Sequence, residues 1–118
     1  MRIELDANGC WPSADNWKMV NRRKEYHILM MVERGRGQMT MKGRAYPLVP
    51  QAMLLIPGGV IHNGVHYPPD NLLLWSVHFK AFVSERIDVL SIFPLPQYLT
   101  LKSREYRRLR SIYKQITT

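Results

Sequence analysis

Two histidines stand four residues apart in the stretch IPGGVIHNGVH, at His62 and His66. Imidazole ligates metals and moves protons near neutral pH, so this spacing could be half of a metal site or part of an acid–base centre. It could equally line a pocket that only binds, since a neutral ring offers one donor and one acceptor. His27 and His78 complete the histidines. Acids are scarce around them. Between Tyr26 and Phe79 only Glu33 and Asp70 occur, both at expected turns. No nucleophile stands beside a base, and enzymatic chemistry without a metal has no visible machinery. Cys10 is the single cysteine. It excludes an internal disulfide and a multi-cysteine zinc site, and a reducing cytoplasm suits it.

The elements that must position these groups read as strands. With 118 residues, 46% of them hydrophobic, the chain is long enough for one domain with one core. The opening MRIELDANG lacks the apolar core of a signal peptide. The longest uncharged run, Ala45 to Pro69, contains five prolines and three glycines, which no membrane helix tolerates. A weak strand is expected at Arg2–Leu5, then a loop from Asn8 to Asn16 that contains Trp11 and ends just before Trp17. Tyr26–Glu33, Gln38–Lys42, Ala45–Val49 and Ala52–Ile56 follow as a meander, punctuated at Gly35-Arg36-Gly37, Gly43-Arg44 and Pro50-Gln51. Leu72–Phe79 is a further strand. Its alternation puts Leu73, Trp75, Val77 and Phe79 on one side and Leu74, Ser76 and His78 on the other. Short strands joined by Gly/Pro turns predict an all-β sandwich or barrel.

The pattern changes near the end. Val83–Phe93 has the composition of a short helix, broken by Pro94 and Pro96. Ser103 reads as a helix N-cap, and Tyr106, Leu109, Ile112, Tyr113 and Ile116 fall on one helical face. That face either packs on the chain's own sheet or meets a partner helix in a homodimer. The net charge is +8, and Lys102–Lys114 holds six basic residues against one acid. Such a helix either lies beside nucleic acid or is a solvated face.

Pro57-x-Gly59-x-x-His62 resembles the second cupin motif, G-x5-P-x-G-x2-H-x3-N. The longer run from about residue 20 to 80 resembles the sensor domain of AraC-family transcription regulators. The residues that carry this are Gly35-Arg36-Gly37, Gly43-Arg44-Ala45-Tyr46-Pro47-Leu48, Leu54–His62 and Trp75–Phe79. The resemblance implies a double-stranded β-helix, a cupin-like jelly roll, over 1–82. It implies a helical linker and dimerisation segment over 83–118. A helix-turn-helix DNA-binding domain would normally follow and is expected to lie outside this chain. The implied role is effector sensing in the bacterial cytoplasm, with a small molecule such as a sugar bound without catalysis. Its partners are the effector and a second copy; DNA is reached only through the other domain, and no membrane is involved. The alternative is a small metal-dependent cupin enzyme, an isomerase or dioxygenase. A third reading, a direct DNA binder, rests on the basic helix alone.

A metal cupin supplies three histidines and a carboxylate, three of the four from a first motif H-x-H-x3,4-E-x6-G. Counted back from Gly35, the glutamate position is Ile28. The histidine positions are Asn21 and Arg23, or Arg22 and Lys24. None is a ligand of that kind, and the cations repel a divalent ion. In the second motif Gln51 replaces the leading glycine and His66 the trailing asparagine. Only His62 survives of the four, so no metal and no cofactor is expected. The candidate effector contacts are His62, where the motif points inward, His78, Arg23 for an anionic or hydroxyl group, and Trp75 and Trp17 (with Trp11) for stacking. His66 is expected on an exposed loop.

Overall fold

A computed structural model describes residues 2–12, 18–69, 71–82, 87–88 and 97–117, with backbone alone at 2, 6–12, 116 and 117. The strands are β1 (Arg2–Pro12), β2 (Lys18–Arg22), β3 (His27–Arg34), β4 (Gly37–Met41), β5 (Arg44–Leu48), β6 (Ala52–Ile56), β7 (His62–His66), β8 (Leu73–Phe82) and β9 (Tyr98–Thr100). Helix α1 (Ser103–Thr117) follows. The strands form two antiparallel sheets, one ordered β1-β8-β3-β6-β9 and the other β2-β7-β4-β5.

The alternation of each strand decides what the sheets enclose. In β3, Ile28, Met30 and Val32 face inward, and in β6 Ala52, Leu54 and Ile56 do. Leu74 on β8 joins them, paired with Val32. The other sheet answers with Met39, Met41, Tyr46 and Leu48. Gly37 lets β4 and β7 approach closely: a Cβ there would strike the Val65 carbonyl oxygen. Gln51 keeps the backbone reason for the glycine it replaces, since its φ is +72°. The left-handed region costs an ordinary residue roughly 1–2 kcal/mol. Its amide and carbonyl pin the turn, with Gln51 N donating to Val32 O and Leu101 N donating to Gln51 O, each at 2.9 Å.

Three expectations about elements change. The first strand runs on to Pro12, because Asn8–Pro12 pairs with Leu73–Val77 of β8 and no loop opens at Asn8. Ser103 is not the cap: Glu105 Oε1 accepts from Lys102 N at 3.1 Å, and Tyr106 N donates to Lys102 O. Ser103 Oγ instead meets the Gln51 side chain, 3.1 Å from Nε2, fastening the helix start to the β5–β6 turn. The segment after 82 is not purely helical, since β9 pairs with β6 at the edge of the five-stranded sheet. Within the expected Val83–Phe93 helix only Ile87 and Asp88 are described, and Asp88 forms a bridge to Phe82; the rest lies outside the described residues.

Helix α1 folds back on the outer face of the five-stranded sheet. Tyr106 and Tyr113 are buried there against Met31 and Trp75, with Met53, Val77, Leu101 and Leu109 packed around them. The Tyr113 ring meets Trp75 edge-on, with centroids 4.9 Å apart and planes at 81°. Tyr113 Oη donates to Ser76 O at 2.6 Å. Three of the five apolar helix residues are thereby committed to the chain's own barrel, Tyr106 and Tyr113 as buried residues and Leu109 in part. Ile112 stays 46% exposed, and the side chain of Ile116 lies outside the described residues.

Candidate functional site: a buried histidine in the barrel

Strand β7 is held by its pairing with β4 on one side and β2 on the other, and Tyr67-Pro68-Pro69 follows its end. Alternation puts His62, Gly64 and His66 inward and leaves Val65 exposed. The expectation of His66 on an exposed loop is therefore corrected: it is 5% exposed, within the strand and paired with Gly37. Both histidines face the interior but not each other. Four residues of strand span roughly 13 Å, far beyond the reach of two ligands on one ion. His27 is on the opposite face of β3 from Ile28. Its Nδ1 accepts from Gly58 N at 2.8 Å, and its Nε2, which therefore carries the proton, donates to Asp88 Oδ2 at 2.7 Å. Among the described residues no three of His, Cys, Asp and Glu gather where a metal could be held. The donor set does not fit a cupin metal.

His62 has no solvent exposure. Its Nδ1 lies 3.2 Å from Val60 O, a group that can only accept, so Nδ1 carries the proton. Nε2 is then a bare acceptor, and it has no hydrogen-bond partner among the described residues. Burial pushes the imidazole below its ordinary titration range, and Arg22 and Lys24 push it further, against the opposing pull of Val60 O. His62 is thus neutral at pH 7. Met41, directly opposite on β4, is buried beside it, and Arg22 is its partner on β2. The site offers one lone pair in an apolar interior, under a rim of positive charge. It can accept one hydrogen bond.

The other expected contacts divide. His78 shares the face of Leu74 and Ser76, opposite Ile28 on β3, as the alternation requires. Arg23 is exposed just after β2, with Nη2 beside the Gly59 turn, 3.9 Å from where a Cβ would sit. It stands at the rim and not in the interior. Trp75 is corrected outright. It faces outward under α1, where Nε1 donates to Glu33 Oε2 at 2.7 Å and the Arg110 guanidinium carbon lies 5.5 Å from its ring centroid. Trp17 and the side chain of Trp11 lie outside the described residues.

Glu33 was missed by sequence reasoning as anything but a turn acid. Its Oε2 also accepts from Tyr106 Oη at 2.5 Å, and its Oε1 meets Arg110 Nη2 at 3.1 Å. The signal was present: Glu33 shares the outer face with Met31, and Tyr106, Arg110 and Tyr113 lie four and three residues apart on a helix.

The chain matches the model of the AraC-like ligand binding domain over residues 12–116. No curated protein matches it in sequence. Among solved structures, ToxT from Vibrio cholerae superposes with a TM-score of 0.63 at 8% identity, over 96% of this chain and 47% of that one. This chain thus spans about half of ToxT. A cupin superfamily protein from Desulfitobacterium hafniense gives 0.54 at 15% identity, over 65% of this chain and 76% of its own. KdgF from Halomonas sp. gives 0.51 at 18%, over 64% and 76%. At these identities the likeness is one of fold, and the fold is the cupin jelly roll. No described helix is long and apolar enough to cross a membrane. With the family model spanning nearly the whole chain, this is a ligand-sensing regulatory domain, and the protein belongs to the AraC-like ligand binding domain family.

Proposed function

We propose that the domain senses a small hydroxyl-bearing effector inside the barrel, without catalysis, on behalf of a cytoplasmic bacterial transcription regulator of the AraC type. The observation that carries this is the buried, unpartnered Nε2 of His62. A buried acceptor left unmade costs roughly 1–3 kcal/mol, which a ligand O–H donated to it recovers. Sugars and other polyols supply that donor. Ammonium-bearing ligands are disfavoured by Arg22 and Lys24, the cations that also depress the imidazole. His78 on β8 is the second contact, and Arg23 meets the effector at the rim.

Strands β3 and β8 carry the message. Met30, Ser76 and His78 face the effector, while their neighbours Met31, Trp75 and Val77 hold α1. An effector that favours one placement of these strands shifts the population of helix positions, and so the presentation of a DNA-binding domain. A homodimer forms through the apolar surface left beside the helix, Leu109 and Ile112 with Leu29 and Val77, which line a small groove. DNA is contacted by the other domain.

The test is a thermal-shift screen of sugars and small polyols, followed by titration of the best binder into the wild type and His62→Phe. Phenylalanine fills the ring's space without a lone pair. Affinity should fall about tenfold or more, the worth of one buried hydrogen bond. Equal affinity in a folded His62→Phe chain refutes the assignment.

A further inference from the structure

A cavity opens at the rim of the barrel, where an edge of each sheet comes together. β5 ends the four-stranded sheet and β9 ends the five-stranded one. Between them is an open slot of about 430 Å3 lined by Arg44, Ala45, Tyr46, Pro47, Gln97 and Tyr98. That volume falls in the range of small-ligand pockets, roughly 300–1,000 Å3. Two hydrogen bonds tie its walls together. Tyr46 Oη donates to Gln97 Oε1 at 3.2 Å, and Tyr98 Oη donates to Pro47 O at 2.7 Å.

These bonds decide what the slot has left to offer. Both tyrosine hydroxyl protons are spent. Gln97 accepts through Oε1, so its Nε2 keeps two N–H donors for an occupant. Arg44 adds a guanidinium fork, 5.8 Å from the Tyr46 centroid, and has no carboxylate in ion-pairing reach among the described residues. Among the described residues no acid lines the slot, and the one charge there is positive. The Tyr46 and Tyr98 rings, 5.8 Å apart and tilted by 40°, form an apolar wall.

We propose that this slot binds a small aromatic carboxylate, its ring against Tyr46 and Tyr98 and its carboxylate on Arg44 and the Gln97 amide. Planar bidentate pairing with carboxylate is what a guanidinium does best. The site is distinct from the barrel interior in chemistry as well as place, because His62 demands a donor and the slot demands an acceptor. An occupant also bridges β5 to β9. β9 leads through Leu101 and Lys102 into α1, so binding holds the start of the helix to the barrel.

The probe is sodium benzoate, titrated into the 15N-labelled chain, with benzyl alcohol as the uncharged control. Benzoate at millimolar concentration should shift the amide signals of Ala45, Tyr46, Gln97 and Tyr98, and benzyl alcohol should bind at least tenfold more weakly. Arg44→Gln alters an exposed side chain, so the fold is retained, and it should weaken benzoate about tenfold or more. His62→Phe should leave benzoate affinity unchanged, which separates this site from the barrel. The proposal is overturned if benzoate leaves those four signals unmoved, if benzyl alcohol binds as well, if Arg44→Gln binds equally, or if His62→Phe abolishes the binding.

Discussion

Replacing Glu33 by glutamine tests what holds helix α1 to the barrel. The carboxylate takes hydrogen bonds from Trp75 and Tyr106 on one oxygen and an ion pair from Arg110 on the other. Hydrogen bonds to a charged group contribute roughly 1.5–3 kcal/mol, against about 0.5–1.5 for neutral ones, so neutralising the acceptor costs about 1 kcal/mol per bond. The Arg110 side chain is 37% exposed and that of Glu33 20%, so solvent screening holds their ion pair to about 1 kcal/mol or less. Glu33→Gln should therefore destabilise the domain by roughly 2–3 kcal/mol. The pH dependence identifies the cause. Burial raises the Glu33 titration, but the bonds from Tyr106 and Trp75 and the charges of Arg110 and Lys114 outweigh it, and the net position lies below the ordinary 4.5. A carboxylate depressed in the folded state contributes its stability fully above the unfolded value and loses it as pH falls through the folded one. The difference between wild type and Glu33→Gln should then be constant near neutrality and close in acid. Urea unfolding followed by tryptophan fluorescence, repeated across pH, measures it. A difference below about 0.5 kcal/mol at neutral pH, or one that persists undiminished in acid, refutes the reasoning.

His62 carries the same sign by a different route. Its folded titration lies below 6.5, so below that pH the unfolded chain takes a proton that the folded one resists, and stability falls. The drop in melting temperature between about pH 7.5 and 5.5 should be smaller in His62→Phe; an identical drop shows that this ring does not resist protonation. Gly37→Ala should be far more damaging than Gly43→Ala in chemical denaturation. The first meets the Val65 carbonyl, whereas the second meets open space and suffers only its φ of +73°, about 1 kcal/mol. Comparable losses would mean that β4 and β7 can part without cost. Sedimentation should show a dimer that tightens with added salt, as screening relieves the basic helices, and Ile112→Glu should dissociate it while leaving the fold intact. A wild type that stays monomeric at high concentration removes the dimer.

How much of this was legible follows from which signals are local. Strand β6 was read to its limits, because Ala52–Ile56 is a continuous apolar run closed by a turn on each side. The faces of β8 followed from a period of two. What alternation does not say is which face is inside. Trp75 was grouped correctly with Leu73 and Val77, and then assigned to a pocket because aromatic rings stack on ligands. The outer face of that sheet is equally apolar, since α1 covers it, and both faces of β3 and β8 therefore read as core. His66 failed through the proline pair. Pro68-Pro69 announced a loop, but β7 continues to the residue before Tyr67, and its small residues Asn63 and Gly64 hide the strand from propensity.

The site divides along the same line. The inward placement of His62 was legible because a short motif ties it to the turn at Pro57–Gly59, a relation of neighbouring residues. Its chemistry was not found, because the tautomer is set by Val60 O and the missing partner is a fact of three-dimensional packing. Glu33, Trp75, Tyr106 and Arg110 are separated by up to 77 positions, and Met31 stands 75 and 82 positions before the Tyr106 and Tyr113 it packs with. No window along the chain brings them together. Yet each is half of a periodic pattern that was visible: the outer face of β3 at Met31 and Glu33, and the helix face at Tyr106, Arg110 and Tyr113. The helix stripe was too wide for water, which required a cover, and the outer sheet face was too apolar for water, which required one too. Two such surfaces in one chain of 118 residues satisfy each other at lower entropic cost than either would by recruiting a second molecule, because the joining segment already holds them close. The stripe therefore goes first to the chain's own sheet, and only what that sheet leaves uncovered, Ile112 above all, remains for a partner.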